Sequence, residues 1–292
     1  MITITAPTSN IGRQVVDRLV QLQTPLRVVV RDPHRLPHDV RNHAQIVEGS
    51  HGDPAVVAAA FDGADAVFWL VPANPRADSV RAAYVDFSRP ACDVLRTGAV
   101  DRVVGISALG RGVARDAGFV TASLEMDDLI ADTGAKYRAL TMPSFMDNLL
   151  RQAESIKSRG VFFSPIDGDR KMPSCATRDI AAVATSLLID DSWSGAGSVP
   201  VMGPKDLSFN DMAAIMTEVL GWPVRFQRTD GAGYKATLLA NGMSNAMAQG
   251  MLDMALAKND GLDNAEPRTP ASTTPTTFRQ WCRDVLQPAL AS

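Results

Sequence analysis

The stretch ITITAPTSNIG, Ile2 to Gly12, runs from a short apolar segment through a turn of small residues into a helical pattern. Small residues in such a turn let the backbone approach a diphosphate. The helix start adds N–H groups and the positive end of its peptide dipoles. In a dinucleotide-binding βα unit the turn has three glycine positions. Here they fall at Ala6, Ser9 and Gly12, and only Gly12 is glycine. The competing reading is a tight turn with no ligand; a series of βα units behind the turn is the context that the cradle requires. Arg31 lies nineteen residues after Gly12, at the end of the second apolar run. An acidic residue there would hold the adenosine ribose of NAD, whereas an arginine suits the 2′-phosphate of NADP. Arg13 and Arg35 can add charge to the same place. The alternative is a solvated Arg31 with neighbouring Asp32 taking the ribose. The expected cofactor is NADP(H), with NAD(H) second.

Other chemistry is thinner. His34, His38, His43 and His51 fall within eighteen residues, which invites a metal reading. Pro33 and Pro37 break the helix that would align His34 with His38, so a solvated loop near the adenine, without metal, is expected. GISALG lacks the final glycine of a nucleophile elbow, because Leu109 stands there. Cys92, Cys175 and Cys282 are too scattered for a disulfide framework, and Cys175 and Cys282 read as small buried hydrophobes.

Alternating elements must position these residues. Apolar strands are expected at Ile2–Thr5, Leu26–Arg31, Ala44–Gly49, Asp65–Val71, Asp101–Ser107 and Tyr137–Thr141. Helical stretches separate them, one beginning near Pro54 with Asp53 as its N-cap, others at Asp78–Thr97, Thr121–Asp132 and Phe145–Arg159. Six βα units in a row imply an α/β fold with a doubly wound parallel (Rossmann) sheet, since parallel strands need crossover helices. The rhythm then loosens. Short strands are expected at Gly160–Phe163 and Val224–Gln227, and helices at Arg178–Leu188, Ser208–Leu220, Tyr234–Lys258 (broken around Gly242) and Phe278–Leu286. The division is a dinucleotide-binding domain over 1–155, rejoined by the helix 173–191. A smaller, discontinuous C-terminal cap over 156–292 interleaves with it. Substrate is expected between them, at the carboxyl ends of the strands.

Composition narrows the partners. Lys and Arg number 29 against 32 Asp and Glu, a net charge of -3. Non-specific binding to nucleic acid or an anionic membrane calls for a basic excess. The sequence has no window of ~20 apolar residues for a membrane span, and no basic region before its first apolar run. A cytoplasmic protein acting on a small molecule is expected, with room left for a homodimer or a protein partner.

The chain resembles the NmrA-like family, atypical members of the short-chain dehydrogenase/reductase superfamily that bind NAD(P). The matching pieces include ITAPTSNIG, VVVRDPHRL, VEGSHGDPAVVAAAFDGADAVFWLVP, RTGAVDRVVGISALG, MPSFMDNLL, GDRKMPSCATRDIAAVATSLL and VMGPKDLSFNDMAAIMTEVLG, in order from residue 2 to about 221. The resemblance implies that Thr8, Ser9, Asn10 and Ile11 line the pyrophosphate, beside Ala6 and Gly12, and that Arg31 meets the 2′-phosphate. It implies that Leu70, Val71 and Pro72 pass the ribose, and that Ser107 and the turn Pro143, Ser144 and Phe145 adjoin the nicotinamide. Ser50 stands where the family often has an Asp facing the adenine.

The departures bear on chemistry. Ordinary reductases of the superfamily protonate substrate with a Tyr whose pKa is lowered by a Lys four residues on, while a Ser orients the carbonyl. Here Tyr84, Tyr137 and Tyr234 are followed four residues on by Ser88, Thr141 and Leu238, and residues 1–135 contain no lysine. Ser107 keeps the orienting serine's place as the one candidate catalytic residue, Ser123 aligns with the lysine, and Tyr137 reads as core. An oxidoreductase reducing a small, largely apolar acceptor that water can protonate, of quinone, azo or enone type, is expected. The alternatives are a non-catalytic NAD(P)-sensing regulator and a non-redox enzyme on the same fold.

Overall fold

A computed structural model describes residues 1–72 and 74–291, so Ser292 of the expected C-terminal part lies outside the described residues. The six expected strands all form: β1 Ile2–Thr5, β2 Leu26–Val30, β3 Gln45–Glu48, β4 Ala66–Trp69, β5 Arg102–Ala108 and β6 Lys136–Met142. They lie in one seven-stranded sheet, where β6 is followed at the edge by a strand at Ala196–Pro200 and the order is completed by β5-β4-β1-β2-β3. The β1–β2, β2–β3, β1–β4 and β4–β5 pairs are parallel, with Ile4 opposite Val28 on one side and Phe68 on the other. Every residue of β1 and β4 is buried, as strands covered on both faces must be. The buried hydroxyls of β1 are satisfied: Thr3 Oγ1 donates to the Ala60 carbonyl at 2.9 Å.

Helices α1 Asn10–Gln21, α2 His38–His43, α3 Pro54–Phe61, α4 Phe87–Leu95 and α5 Phe119–Ala131 follow β1 to β5 in turn. Asp53 caps α3 as expected, its carboxylate accepting from the N–H groups of Ala55 and Val56, with Pro54 at the first helical position. Upstream of α4 the chain makes a π-helical turn, Ala82–Asp86. Pro90 inside α4 lacks an N–H and crowds the preceding turn, a common cause of such irregularity. Strand order reverses between β2 and β4 on either side of β1, and open α/β sheets bind ligands outside the carboxyl ends of the strands at such a point.

The chain divides into two compact units, interleaved in sequence. The first comprises Met1–Ser107, Ala122–Thr141 and Ile180–Val199; the second comprises Ala108–Thr121, Met142–Asp179 and Pro200–Ser292. The first is built on Phe61, Phe68, Trp69 and Tyr137, all nearly inaccessible to solvent. Its edge strand Ala196–Pro200 was not among the expected strands, because AGSVP has no apolar alternation and is largely exposed. Arg138 anchors the segment before it, donating to the Ser194 and Gly195 carbonyls and lying 4.6 Å over the Trp193 ring.

The second unit packs around Phe162, Met216, Trp281, Cys282 and Leu286. Its strands are β7 Ser144–Phe145, β8 Val161–Ser164 and β9 Ser174–Cys175, then, after the edge strand β10 Ala196–Pro200 of the first unit, β11 Arg225–Arg228. β7 pairs with β9 and β8 with β11, both parallel. The expected helix Phe145–Arg159 is therefore corrected: Ser144 and Phe145 are extended, Met146–Gln152 is a 3-10 helix, and α-helix starts only at Ala153. Pairing with β9 outcompetes helical propensity there. The helix Phe209–Leu220 has a full capping box, Ser208 with Asp211, and stops at Gly221. No helix among the described residues is long and apolar enough to cross a membrane.

Candidate functional site

The turn between β1 and α1 is shaped by three contacts. Ala6 has a φ of +48°, in the left-handed region where glycine is usual. The Ser9 N–H donates to the Ala6 carbonyl at 3.0 Å, and the Ser9 hydroxyl accepts from the Gly12 N–H at 3.0 Å. At Gly12 an added Cβ would meet the Ala6 carbonyl oxygen at 2.2 Å and Ser9 Oγ at 2.8 Å, so only glycine fits. The first turn of α1 carries no acidic residue of its own to offset the positive end of the helix. Ile11 is buried, Thr8 half-buried and Asn10 exposed; the Asn10 side chain accepts from Gln14 Nε2 at 3.2 Å. These features fit a nucleotide diphosphate.

Arg31 follows β2 directly. It is exposed, and its guanidinium makes no hydrogen bond or ion pair among the described residues. Asp32, the alternative ribose ligand, is already used: its carboxylate caps the 3-10 helix Pro33–Arg35, accepting from the His34 N–H at 3.0 Å. Arg13 and Arg35 are also exposed. The expected solvated histidine loop is instead two short helices, Pro33–Arg35 and α2, parted at Leu36 and Pro37. No trio of metal-binding side chains gathers among the described residues.

His51 departs from the solvated-loop expectation. It is buried, with Nε2 3.1 Å from the Leu70 carbonyl oxygen and its ring edge-on to Phe87 and Trp69 at 4.9 and 5.3 Å. Burial, with a smaller contribution from the Arg31 charge, pushes its pKa down to about 4, so the ring is neutral and Nε2 donates. On the other side, Thr5 Oγ1 accepts from the Leu70 N–H at 2.9 Å and donates to the Phe68 carbonyl at 2.9 Å. Thr5 and His51 thus fix the backbone at the exit of β4, where Leu70 and Val71 are buried and Pro72 is exposed. Ser50, next to His51, accepts from the Gly52 N–H at 3.2 Å and closes a local turn.

At β5 the structure joins three residues that the sequence reading kept apart. Ser107 is nearly buried, and its hydroxyl donates a short hydrogen bond to the Asp127 carboxylate on α5. The Tyr137 hydroxyl, from β6, donates to the other oxygen of Asp127 at 2.7 Å. Tyr137 is 2% exposed, a core residue as expected, yet its hydroxyl is committed to a buried carboxylate. Gly105 clears its path: an added Cβ would meet the Tyr137 hydroxyl at 2.3 Å. Ser123, one helical turn before Asp127, is buried too. Asp127 escaped the sequence reading because in SLEMDDLIAD it is one of four acidic residues, and nothing marks it as the inward one.

In the second unit, Pro143 leads from β6 into β7, and Ser144 lies opposite Ser174 of β9. Ser174 Oγ is buried and makes no hydrogen bond among the described residues.

A family profile described as NAD(P)H-binding matches residues 8–191. An NAD(P)H azoreductase of Xenophilus azovorans is 29% identical over 94% of this chain and 93% of its own. The (4-alkanoyl-5-oxo-2,5-dihydrofuran-3-yl)methyl phosphate reductase of Streptomyces griseus is 30% identical over 82% of this chain and 81% of its own. Among solved structures, an NADPH-dependent quinone oxidoreductase of Escherichia coli complexed with NADPH superposes with a TM-score of 0.79 at 21% identity, covering 100% of this chain and 99% of that one.

Proposed function

As a member of the NAD(P)H-binding family, with the motifs of its NmrA-like branch, this chain is, we propose, an NADP(H)-dependent oxidoreductase. It reduces a small, largely apolar acceptor of quinone, azo or enone type and does so without a Tyr–Lys relay. The observation that carries the reading is the β1–α1 turn, closed tightly by Gly12 against Ala6, with an exposed Arg31 at the end of the neighbouring strand. When bound, the reduced nicotinamide supplies a hydride.

The chain's own residues bind and orient. Ala6, Thr8, Ser9, Asn10, Ile11 and Gly12 hold the pyrophosphate by backbone N–H groups and the helix dipole. Arg31 meets the 2′-phosphate with a charge-assisted, two-pronged hydrogen bond, which selects NADP(H) over NAD(H). Ser50 lies toward the adenine. Leu70, Val71 and Pro72 pass the ribose on a backbone fixed by Thr5 and His51. Within the first unit Ser107 orients the nicotinamide; Pro143, Ser144 and Phe145 are assigned to the nicotinamide, and 156–292 to the acceptor, by the family's pattern.

Neither hydroxyl near β5 points a proton at a ligand: Ser107 and Tyr137 both donate their hydrogen bonds to the buried Asp127 carboxylate. The acceptors that suit such a site are those whose reduced form takes its proton from water. The azoreductase, the furanone reductase and the quinone oxidoreductase named among the relatives support that class. We place this activity in the cytoplasm, on a free small molecule.

The test is NADPH consumption over a panel of quinones, azo dyes and enones. Acceptor-dependent turnover with one class supports the reading. Tight NADPH binding with no turnover across the panel contradicts it and favours a cofactor-sensing regulator.

A further inference from the structure

Resting on that reading of the β5 site, we infer that Asp127 is a positioning residue that makes Ser107 a pure hydrogen-bond acceptor. Ser107 then recognises an N–H or O–H of the bound ligand instead of donating a proton to it.

A serine hydroxyl has one proton and two lone pairs. The Ser107 hydroxyl donates its hydrogen bond to Asp127, and its oxygen makes no other side-chain hydrogen bond among the described residues. The second carboxylate oxygen of Asp127 accepts from Tyr137, so neither Asp127 nor Tyr137 has reason to return a proton to Ser107. The arrangement is held from three elements, β5, α5 and β6, with all three side chains less than a tenth exposed. Gly105 is kept free of a Cβ that would push Tyr137 off the carboxylate. A carboxylate only accepts, so both hydroxyls point their protons at Asp127, and the low-dielectric surroundings make reversing either bond costly. What Ser107 presents outward is therefore lone pairs. A ligand oxygen seeking a donor is poorly matched to it; a ligand N–H or O–H is well matched.

Two sources could supply that donor: the carboxamide N–H of the nicotinamide, or an O–H or N–H of the reduced acceptor. The chemistry is the same, and binding measured without any acceptor separates them.

The experiment is direct fluorescence titration of NADPH, and of its 3-acetylpyridine analogue, into the wild type, Ser107→Ala, Asp127→Asn, the double variant and Tyr137→Phe. If the cofactor is the donor, Ser107→Ala weakens NADPH about tenfold, the scale of one hydrogen bond, and leaves the acetyl analogue, which has no carboxamide N–H, unchanged. Asp127→Asn weakens NADPH by at least as much, because its amide turns the Ser107 proton toward the ligand; the double variant loses no more than the larger single loss. Tyr137→Phe removes one of the two donors that hold Asp127, so NADPH affinity falls there too, by less than in Ser107→Ala, while the acetyl analogue again stays unchanged. If the acceptor's product is the donor, NADPH affinity holds and the reduced product binds Ser107→Ala about tenfold more weakly. Unchanged affinity for both ligands in Ser107→Ala overturns the inference, and that variant decides the matter even if Asp127→Asn fails to fold. A wild type that binds no NADPH overturns the functional reading instead, so the two failures are distinct.

Discussion

Gly12 and Ala6 stand so close that a single methyl group on Gly12 would lie 2.2 Å from the Ala6 carbonyl oxygen. The left-handed Ala6 and the glycine form one device: the turn bends back on itself, and the helix start is drawn against the strand end.

Gly12→Ala therefore has to push α1 away from β1. Overpacking against backbone costs about 1–3 kcal/mol of stability. The displaced helix start should weaken NADPH and NADH alike, by about tenfold or more. Thermal unfolding and paired titrations check this; a variant that loses affinity for only one of the two cofactors would show that the turn does not hold the shared diphosphate.

Arg31 acts differently, because its expected partner exists only on NADPH. Arg31→Ala should weaken NADPH binding by about 1.5–3 kcal/mol, the scale of a charge-assisted hydrogen bond, and barely touch NADH. Equal loss for both cofactors, measured by calorimetry, would contradict the 2′-phosphate assignment.

His51 gives stability a pH dependence whose sign is fixed. Its pKa is lowered in the fold to about 4, against an ordinary 6.5, so between those values the unfolded chain binds a proton that the folded chain refuses. This contribution is intact above pH 6.5 and falls away as pH drops toward 4, by roughly 3 kcal/mol in all. Urea unfolding at several pH values should show a steeper acid loss for the wild type than for His51→Gln, whose amide stays neutral and can still reach Leu70. Parallel curves for the two proteins would remove His51 as the cause.

The second unit holds a buried ion pair, Lys258 Nζ to Asp263 at 2.6 Å, with the two side chains 6% and 1% exposed. Asp263→Ala leaves the ammonium buried and alone, which should cost about 3–5 kcal/mol. Chemical denaturation checks it; a loss below about 1 kcal/mol, the scale of an exposed pair, would mean that water reaches the lysine.

Much of the cofactor side was legible because its signals are local. ITITAPTSNIG, the Asp53 cap ahead of Pro54 and the apolar strands each announce themselves within a few residues, and the structure places them within a residue or two. Three things were not legible. The strand Ala196–Pro200 lacks apolar alternation and exists because β6 offers it an edge and Arg138 anchors it. Phe145 reads as a helix start because the pairing of Ser144 and Phe145 with Ser174 and Cys175 is a long-range contact. Asp127, Tyr137 and Ser107 belong to three elements, and only the fold reveals that their hydroxyls and carboxylate share one buried spot. His51 was misjudged for a related reason: among three outlying histidines it looked solvated, whereas the Leu70 carbonyl and two aromatic rings enclose it.

The most direct measurement on the central claim is transfer of label from NADPH deuterated at C4 of the nicotinamide to an enone acceptor, where the new carbon–hydrogen bond does not exchange with water. The account predicts one deuterium in each reduced product, one NADPH consumed per acceptor, and a second hydrogen drawn from solvent. Product formed without deuterium, with either hydrogen of the cofactor labelled in turn, would contradict it.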